Sequence, residues 1–159
     1  MYEASRPITA SGQQVGVTSD IDEESFLKQF VAAVSAGDIA TVIASYTDDA
    51  IFHFPGNHPM AGEFHGKDEV LKIFRRSPAV FRGRLKREVH DALANSSHGI
   101  ALLKMTLQLG DDVYEWDRVT VVHMKEGRIS EHWIFESNPD LVNRLYSAAS
   151  QELERGEEW

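Results

Sequence analysis

The chain has 159 residues, of which 42% are hydrophobic and 26% charged, and its formal net charge is −9. These values are typical of one globular domain with a buried core, and the negative charge disfavours binding to nucleic acid or to an anionic membrane. There is no cysteine, which excludes disulfides, thiolate metal sites and a cysteine nucleophile. No apolar run reaches the roughly 18 residues of a membrane helix, and no signal peptide is present, so we expect a cytoplasmic protein.

The beginning of the chain predicts a polar arm followed by two helices. Residues 1–19 have no periodic apolar face, and we expect them to form a flexible arm. Asp20 has capping-box spacing to Glu23, which predicts the start of the first helix, and Gly37 ends that helix. Asp38 then caps a short second helix.

The next stretch predicts a strand, a loop and a third helix. Residues 50–54 form a short strand that Pro55 stops. The loop at residues 56–66 is expected to lie at the rim of a cavity. The third helix begins near residue 67 and ends near residue 76, because Pro78 disfavours its continuation.

The second half of the chain is rich in strands and closes with an amphipathic helix. Turn signals separate four predicted strands, which are residues 85–93, 99–109, 113–125 and 128–136. Helices followed by a meander of strands predict an α+β fold. We expect one domain over residues 20–138 and a C-terminal helix, at residues 139–159, packed on it.

Three segments carry a resemblance to a known family. They are residues 30–38 (FVAAVSAGD), 46–62 (YTDDAIFHFPGNHPMAG) and 126–133 (EGRISEHW). In these the chain resembles the nuclear transport factor two-like superfamily, especially its SnoaL-like and ketosteroid isomerase-like branch. The resemblance implies a curved mixed sheet that helices wrap into a cone, a cystatin-like α+β barrel, with a hydrophobic small molecule inside. The C-terminal helix would be an addition to this fold.

The resemblance also allows known catalytic positions to be compared with this chain. In ketosteroid isomerase, the base and the two oxyanion donors would fall at Phe54, Phe30 and Val119. All three are apolar, so that mechanism is not expected. The catalytic positions of limonene-epoxide hydrolase would fall at Phe52, Phe54, Thr106, Lys104 and Ile134. Of these, Lys104 alone keeps a charge.

The SnoaL-type cyclases resemble the chain best, and they use a carboxylate base assisted by a histidine. Ile134 stands where these proteins commonly have an aspartate, and Glu136 and Asp117 are the nearest substitutes. If the cavity face holds Val119 and Ile134, it also holds Asp117 and His132. We therefore predict that Asp117 is the base and that His132 orients it or relays its proton. The alternative is that Asp117 makes only structural polar contacts.

The strand at residues 99–109 leaves two interpretations open, because the turn after it can have two or three residues. Alignment with the family places Lys104 and Thr106 in the cavity, where Lys104 would stabilise an enolate. The other face of this strand, which carries Leu103, Met105 and Leu107, would then form an outer dimer surface. In the second interpretation these three residues are core and Lys104 is solvated.

These observations predict an enzyme without a cofactor that acts on a hydrophobic polyketide- or terpenoid-like intermediate. Its reaction would be acid/base cyclisation, isomerisation or dehydration, and the alternative is a non-catalytic ligand-binding or assembly module. The predicted ligand-binding residues are Phe30, Phe52, Phe54, Thr106, Val119, Val121, Ile134 and Glu136. We expect a homodimer formed through the outer sheet face. We expect no metal, since His53, His58 and His65 match no standard ligand spacing.

Overall fold

The computed structural model describes residues 22–156, so the predicted arm at residues 1–19 lies outside the described residues. Within them the chain forms four helices and one curved, open, six-stranded sheet. The predicted α+β, cystatin-like fold with a C-terminal helix is confirmed. The helices are α1 (Glu23–Ala36), α2 (Ile39–Ala44), α3 (Lys67–Phe81) and α4 (Pro139–Arg155). The strands are β1 (Tyr46–Phe54), β2 (Gly62–His65), β3 (Leu85–Ala94), β4 (His98–Leu109), β5 (Asp112–Lys125) and β6 (Arg128–Glu136).

The sheet has the strand order β2-β1-β6-β5-β4-β3. Strands β1 and β6 are parallel, and all other neighbours are antiparallel. Alternate side chains of each strand point to opposite faces. The inner face carries the buried strand residues of the core, for example Phe52, Met105 and Val122. The outer face carries the exposed ones, for example Leu102 and Phe135.

Local capping explains where the first two helices begin. The cap of α1 is Asp22, two residues after the predicted Asp20, and its Oδ1 accepts a 2.8 Å hydrogen bond from the backbone N–H of Ser25. Gly37, with φ 70°, ends α1 as predicted. Asp38 caps α2, also as predicted. Strand β1 begins earlier than expected, at Tyr46.

Helix α3 is longer than predicted, because it continues through Pro78 to Phe81. Proline removes one backbone donor, but the extra turn buries Val80 and Phe81, each 1% exposed. Burial of these two side chains therefore outweighs the lost hydrogen bond. Strand β2 was also missed, since the predicted loop pairs in part with β1.

The hairpin of β5 and β6 contains a β-bulge near its turn. Arg128 pairs with Lys125, as a two-residue turn requires, but Glu131 pairs with His123. One residue of β6, Ser130, is therefore extra, and its hydroxyl lies 3.3 Å from the His123 carbonyl oxygen. Beyond the bulge, every residue of β6 is displaced by one position relative to β5.

This displacement decides which residues of β5 face the interior. Val122 pairs with His132, and Arg118 pairs with Glu136. Without the bulge, Val121 would lie opposite His132, and Asp117 would lie opposite Glu136. The inner face of β5 thus holds Arg118 and Val122, because a shift of one residue exchanges the two faces of a strand.

Strand β4 follows the second of the two interpretations left open by the sequence. Leu109 pairs with Asp112, so the β4–β5 turn has two residues. Leu103, Met105 and Leu107 are buried in the core, with at most 4% exposure. The interpretation that placed Lys104 and Thr106 in the cavity, and an apolar Leu103 face outside, is therefore wrong.

Helix α4 begins at the cap Asn138, whose side-chain oxygen accepts a 3.1 Å hydrogen bond from the backbone N–H of Leu141. Its buried side includes Val142, Leu145 and Tyr146. None of the helices in residues 22–156 is long and apolar enough to cross a membrane.

Candidate functional site

The structure separates the predicted site residues into two groups. Those in the interior are Phe30, Phe52, Phe54, His132, Ile134 and Glu136. Those on the outer face are Lys104, Thr106, Asp117, Val119 and Val121. The predicted inward position therefore agrees with burial for the α1, β1 and β6 residues, and it is wrong for the β4 and β5 residues, which lie on the outer face.

The predicted pair of Asp117 and His132 does not exist. Asp117 is exposed on the outer face, whereas His132 is 3% exposed on the inner face. The bulge at Ser130 is the physical reason, since it exchanges the faces of β5 relative to β6. Lys104 is also solvated, and its Nζ lies 3.7 Å from an exposed carboxylate oxygen of Glu115. Neither residue can therefore act in the interior.

His132 instead pairs with Tyr46. The hydroxyl of Tyr46 lies 2.7 Å from Nδ1 of His132, and both side chains are buried. The rings of Phe52 and Phe30 lie 4.6 Å and 5.9 Å from the imidazole. Burial, reinforced by the positive charge of Arg118, lowers the pKa of His132 to about 3. Burial also raises the pKa of Tyr46, so both side chains are neutral at pH 7.

The hydrogen bond between the two side chains has one direction for each imidazole tautomer. When the Tyr46 hydroxyl donates, Nδ1 of His132 accepts and Nε2 carries the hydrogen. Nε2 is buried and has no hydrogen-bond partner among the described residues. A buried polar group without a partner costs about 1–3 kcal/mol, so Nε2 is an unsatisfied group of the interior.

A second buried polar group, the Arg118 cluster, consists of Arg118, Glu136, Trp116 and Tyr146. Nε of Arg118 donates to Oε1 of Glu136 at 2.9 Å, and Nη2 donates to the same oxygen and to the Tyr146 hydroxyl. Nε1 of Trp116 donates to Oε2 of Glu136 at 2.8 Å. Burial alone would lower the pKa of Arg118, but Tyr146 and the Glu136 carboxylate outweigh it and raise that pKa. Both carboxylate oxygens are therefore already occupied.

Sequence reasoning missed four members of these groups as site residues, namely Tyr46, Trp116, Arg118 and Tyr146. Arg118 lies on the same face of β5 as Trp116, Thr120 and Val122. A single arginine among mostly apolar residues on one face of a strand indicates a buried guanidinium. Tyr146 lies in the apolar stripe of α4, which predicts burial without predicting its polar contact.

A cleft opens to the interior between α1, α3 and the start of β3. Its volume is about 170 Å³, and its lining includes Phe74 and Phe81 of α3 and Arg87 of β3. Phe74 also packs against Tyr46 and Phe52, with ring centroids 5.9 Å and 5.6 Å apart. Phe74 thus lines this cleft and also contacts Tyr46 of the buried pair.

The three histidines considered for a metal site lie on two sides of the sheet. His53 and His65 share the carboxylate of Glu63 on the outer side, at 3.1 Å and 2.6 Å. His58 is buried beside Phe54, with ring centroids 5.0 Å apart. Desolvation lowers the pKa of His58, so it too is neutral at pH 7.

Comparison with known proteins places this site in a family context. Residues 27–132 match the family described as the SnoaL-like domain. The protein Rv0034 of Mycobacterium tuberculosis, described as uncharacterized, is 27% identical over 132 residues, which cover 82% of this chain and 100% of that protein. The protein Mb0035 of Mycobacterium bovis, also uncharacterized, shows the same identity and coverage.

Solved structures with low sequence identity share the fold. Bal32a, from a soil-derived mobile gene cassette, has a TM-score of 0.72 at 19% identity and covers 78% of this chain and 95% of its own. A Xanthomonas campestris protein of unknown function with a cystatin-like fold has a TM-score of 0.71 at 22% identity, covering 79% and 98%. A loop-truncated variant of IdmH has a TM-score of 0.64 at 18% identity, covering 77% and 99%.

Proposed function

The chain belongs to the SnoaL-like domain family, and from this premise we propose that it is a cofactor-independent enzyme acting on a hydrophobic, carbonyl-bearing small molecule. The reaction is an isomerisation or a cyclisation that passes through an enol or enolate. The observation that carries the proposal is the buried Nε2–H of His132, which has no partner among the described residues. Fold alone does not assign a reaction, so the proposal depends on this donor.

His132 acts as an electrophile in this proposal. Its neutral imidazole hydrogen-bonds through Nε2–H to the carbonyl oxygen. A solvent water molecule takes the proton from the neighbouring carbon, the electrons of the broken C–H bond pass to the carbonyl oxygen, and the Nε2–H stabilises the negative charge that forms there. Tyr46 holds the ring in the required tautomer and orientation through its 2.7 Å hydrogen bond. The donor needs no reorganisation, because the surrounding aromatic rings fix it in an apolar site.

The apolar wall supplies most of the binding energy. Phe30, Phe52 and Phe74 pack around the pair of Tyr46 and His132. A substrate that enters through the α1–α3 cleft meets Phe74 first. Phe74 in turn packs on Tyr46 and Phe52, which contact His132, so these aromatic rings have to move for a substrate to reach Nε2. Aromatic walls favour flat, ring-shaped carbonyl compounds.

A second candidate, a binding module without turnover, is favoured by the Arg118 cluster. On the inner face of the described strands, Glu136 is the single carboxylate, and both of its oxygens accept hydrogen bonds. A carboxylate so occupied is a poor general base. In this alternative the same cavity holds its ligand through the apolar wall and the His132 donor.

Hydrogen–deuterium exchange at an acidic carbon distinguishes the two functions. The probe is β-tetralone in deuterium oxide, with loss of its α-proton signal followed by NMR. The enzyme proposal predicts faster exchange with the wild type and a loss of roughly 10²-fold in His132→Gln, the effect of removing one oxyanion donor. The matched control is His123→Gln on the outer face, which should exchange like the wild type. Binding of β-tetralone without faster exchange would favour the binding module.

We also propose that two copies of the chain associate through the outer face. Two cross-strand rows form an apolar outer patch, which consists of Ile100, Val121, Trp133, Leu102, Val119 and Phe135. Phe135 is 55% exposed, and Ile100 and Leu102 are 39% and 37% exposed. A patch of this kind supports association between copies. These residues replace the Leu103 face that the sequence suggested.

A further inference from the structure

Arg87 is a cation in the interior that lacks an anionic partner. It lies on the inner face of β3 and lines the α1–α3 cleft. Its Nη2 donates a 3.1 Å hydrogen bond to Oγ of Ser77. Within residues 22–156, no carboxylate oxygen lies within 4.0 Å of its guanidinium. Most of its five N–H donors therefore have no hydrogen-bond partner among the described residues.

The charges around Arg87 do not balance. The inner face of the described strands carries two guanidiniums, of Arg87 and Arg118, and one carboxylate, of Glu136. Glu136 is hydrogen-bonded to Arg118 and not to Arg87. Desolvation lowers the pKa of Arg87 to about 10; Tyr146 and Glu136 oppose this shift and the positive charge of Arg118 adds to it, and Arg87 stays charged at pH 7. An unpaired, partly buried cation is destabilising until an anion joins it.

The walls of the cleft define what kind of anion fits. Phe74, Pro78, Phe81 and Leu85 line it with apolar surface. A dry cavity of roughly 150 Å³ is large enough for benzene, so a cleft of about 170 Å³ takes one ring or a short branched chain. The C-terminal end of α1 also lines the cleft, but a helix end carries only about half an elementary charge, which the full charge of a guanidinium outweighs.

We propose that the α1–α3 cleft binds the carboxylate of a hydrophobic acid, with Arg87 as its counter-ion and Ser77 as the second polar contact. The planar guanidinium matches a carboxylate in a two-bond geometry, while the ring or chain of the acid lies on Phe74 and Phe81. Resting on the proposed function, this names its substrate class: a hydrophobic carboxylic acid that also carries the carbonyl group for His132. Phe74 touches both places, since it lines the cleft and packs on Tyr46.

Calorimetric titration with a matched pair of probes tests this inference. Phenylacetate and phenylacetamide have the same shape and differ in charge. The wild type should bind the acid at least tenfold more tightly than the amide, and Arg87→Met should remove that preference. Arg87→Lys, which keeps the charge but loses the planar fork, should reduce it in part and serves if the Met variant does not fold. The control is Lys86→Met, a cation on the same strand and the opposite face, which should bind like the wild type.

Several results would overturn the inference. Equal affinity for acid and amide, an acid preference that survives in Arg87→Met, or no binding of the acid would each exclude the anion site. Inorganic phosphate binding as tightly as phenylacetate would show a simple ion site instead of a site for a hydrophobic acid. His132→Gln should keep the acid preference unchanged. Acid binding without accelerated β-tetralone exchange would therefore exclude the proposed reaction and support the anion site. Accelerated exchange without acid binding would support the reaction and exclude the anion site.

Discussion

Arg118 and Glu136 form a cross-strand ion pair on the inner face, and Tyr146 of α4 contacts the same guanidinium at 2.8 Å. Their side chains are 6% and 3% exposed. Removing two charges from water is costly, and the hydrogen bonds from Trp116 and to Tyr146 offset part of that cost. The pair therefore connects α4 to β5 and β6. Removing one partner would leave the other charge buried without a counter-ion, which is strongly destabilising.

We predict that Arg118→Met lowers the free energy of unfolding by about 3–5 kcal/mol, because it leaves the Glu136 carboxylate buried without its partner. Urea denaturation at pH 7 measures this. The exposed pair of Lys104 and Glu115 provides the control, since Lys104→Met should cost less than about 1 kcal/mol. The double variant Arg118→Met/Glu136→Gln should be more stable than Arg118→Met alone. An Arg118→Met variant as stable as Lys104→Met would contradict the account of this pair.

The buried imidazole of His132 makes stability depend on pH. Its pKa is lowered from 6.5 to about 3 by burial, so below pH 6.5 the unfolded chain binds a proton there that the folded chain does not. Stability is therefore fully present above pH 6.5 and falls as the pH decreases toward 3, by up to about 1.4 kcal/mol per pH unit for this one proton. The lowered pKa of His58 contributes in the same direction.

The slope of stability between pH 6 and pH 5 isolates this effect from any general loss of stability. His132→Gln should have a slope smaller by about 1 kcal/mol per pH unit than the wild type. His90→Gln changes an exposed histidine of β3 and should keep the wild-type slope. Equal slopes for the wild type and His132→Gln would mean that the imidazole is not held neutral.

The apolar outer patch predicts a dimer in solution. Light scattering should give twice the chain mass of 17.9 kDa. Leu102→Asp places a charge in the middle of the patch and should yield the monomer, whereas Gln108→Asp, on the same face of β4 but outside the patch, should remain dimeric. A wild type that runs as a monomer at micromolar concentration would exclude this interface.

Much of the fold could be predicted because local signals agree with tertiary packing. Gly37, Asp38, the limits of β6 and the start of α4 are marked by caps and turns, and the structure has them where the sequence indicates. Pro78 shows the opposite case, since the local rule predicts a helix end and the burial of Val80 and Phe81 overrides it.

The site could be predicted only in part, because it depends on one residue of register. The alternation of side chains along β5 and β6 is evident from the sequence, but which face of β5 matches which face of β6 is decided by the bulge at Ser130. Ser130 is neither a glycine nor a proline, so its residue type does not mark it as the site of a bulge. The side chain that His132 contacts is therefore Tyr46 of β1 and not the predicted Asp117.

The most direct test of the central claim is NMR observation of the His132 ring with ¹⁵N labelling at pH 7. The account predicts a neutral imidazole with the hydrogen on Nε2 and an unprotonated Nδ1. Addition of β-naphthol, a planar mimic of the enol of β-tetralone, should move the Nε2 hydrogen resonance downfield as it forms a hydrogen bond with the naphthol oxygen. A protonated Nδ1, or an Nε2 hydrogen that does not respond while β-naphthol binds, would contradict the proposed role of His132.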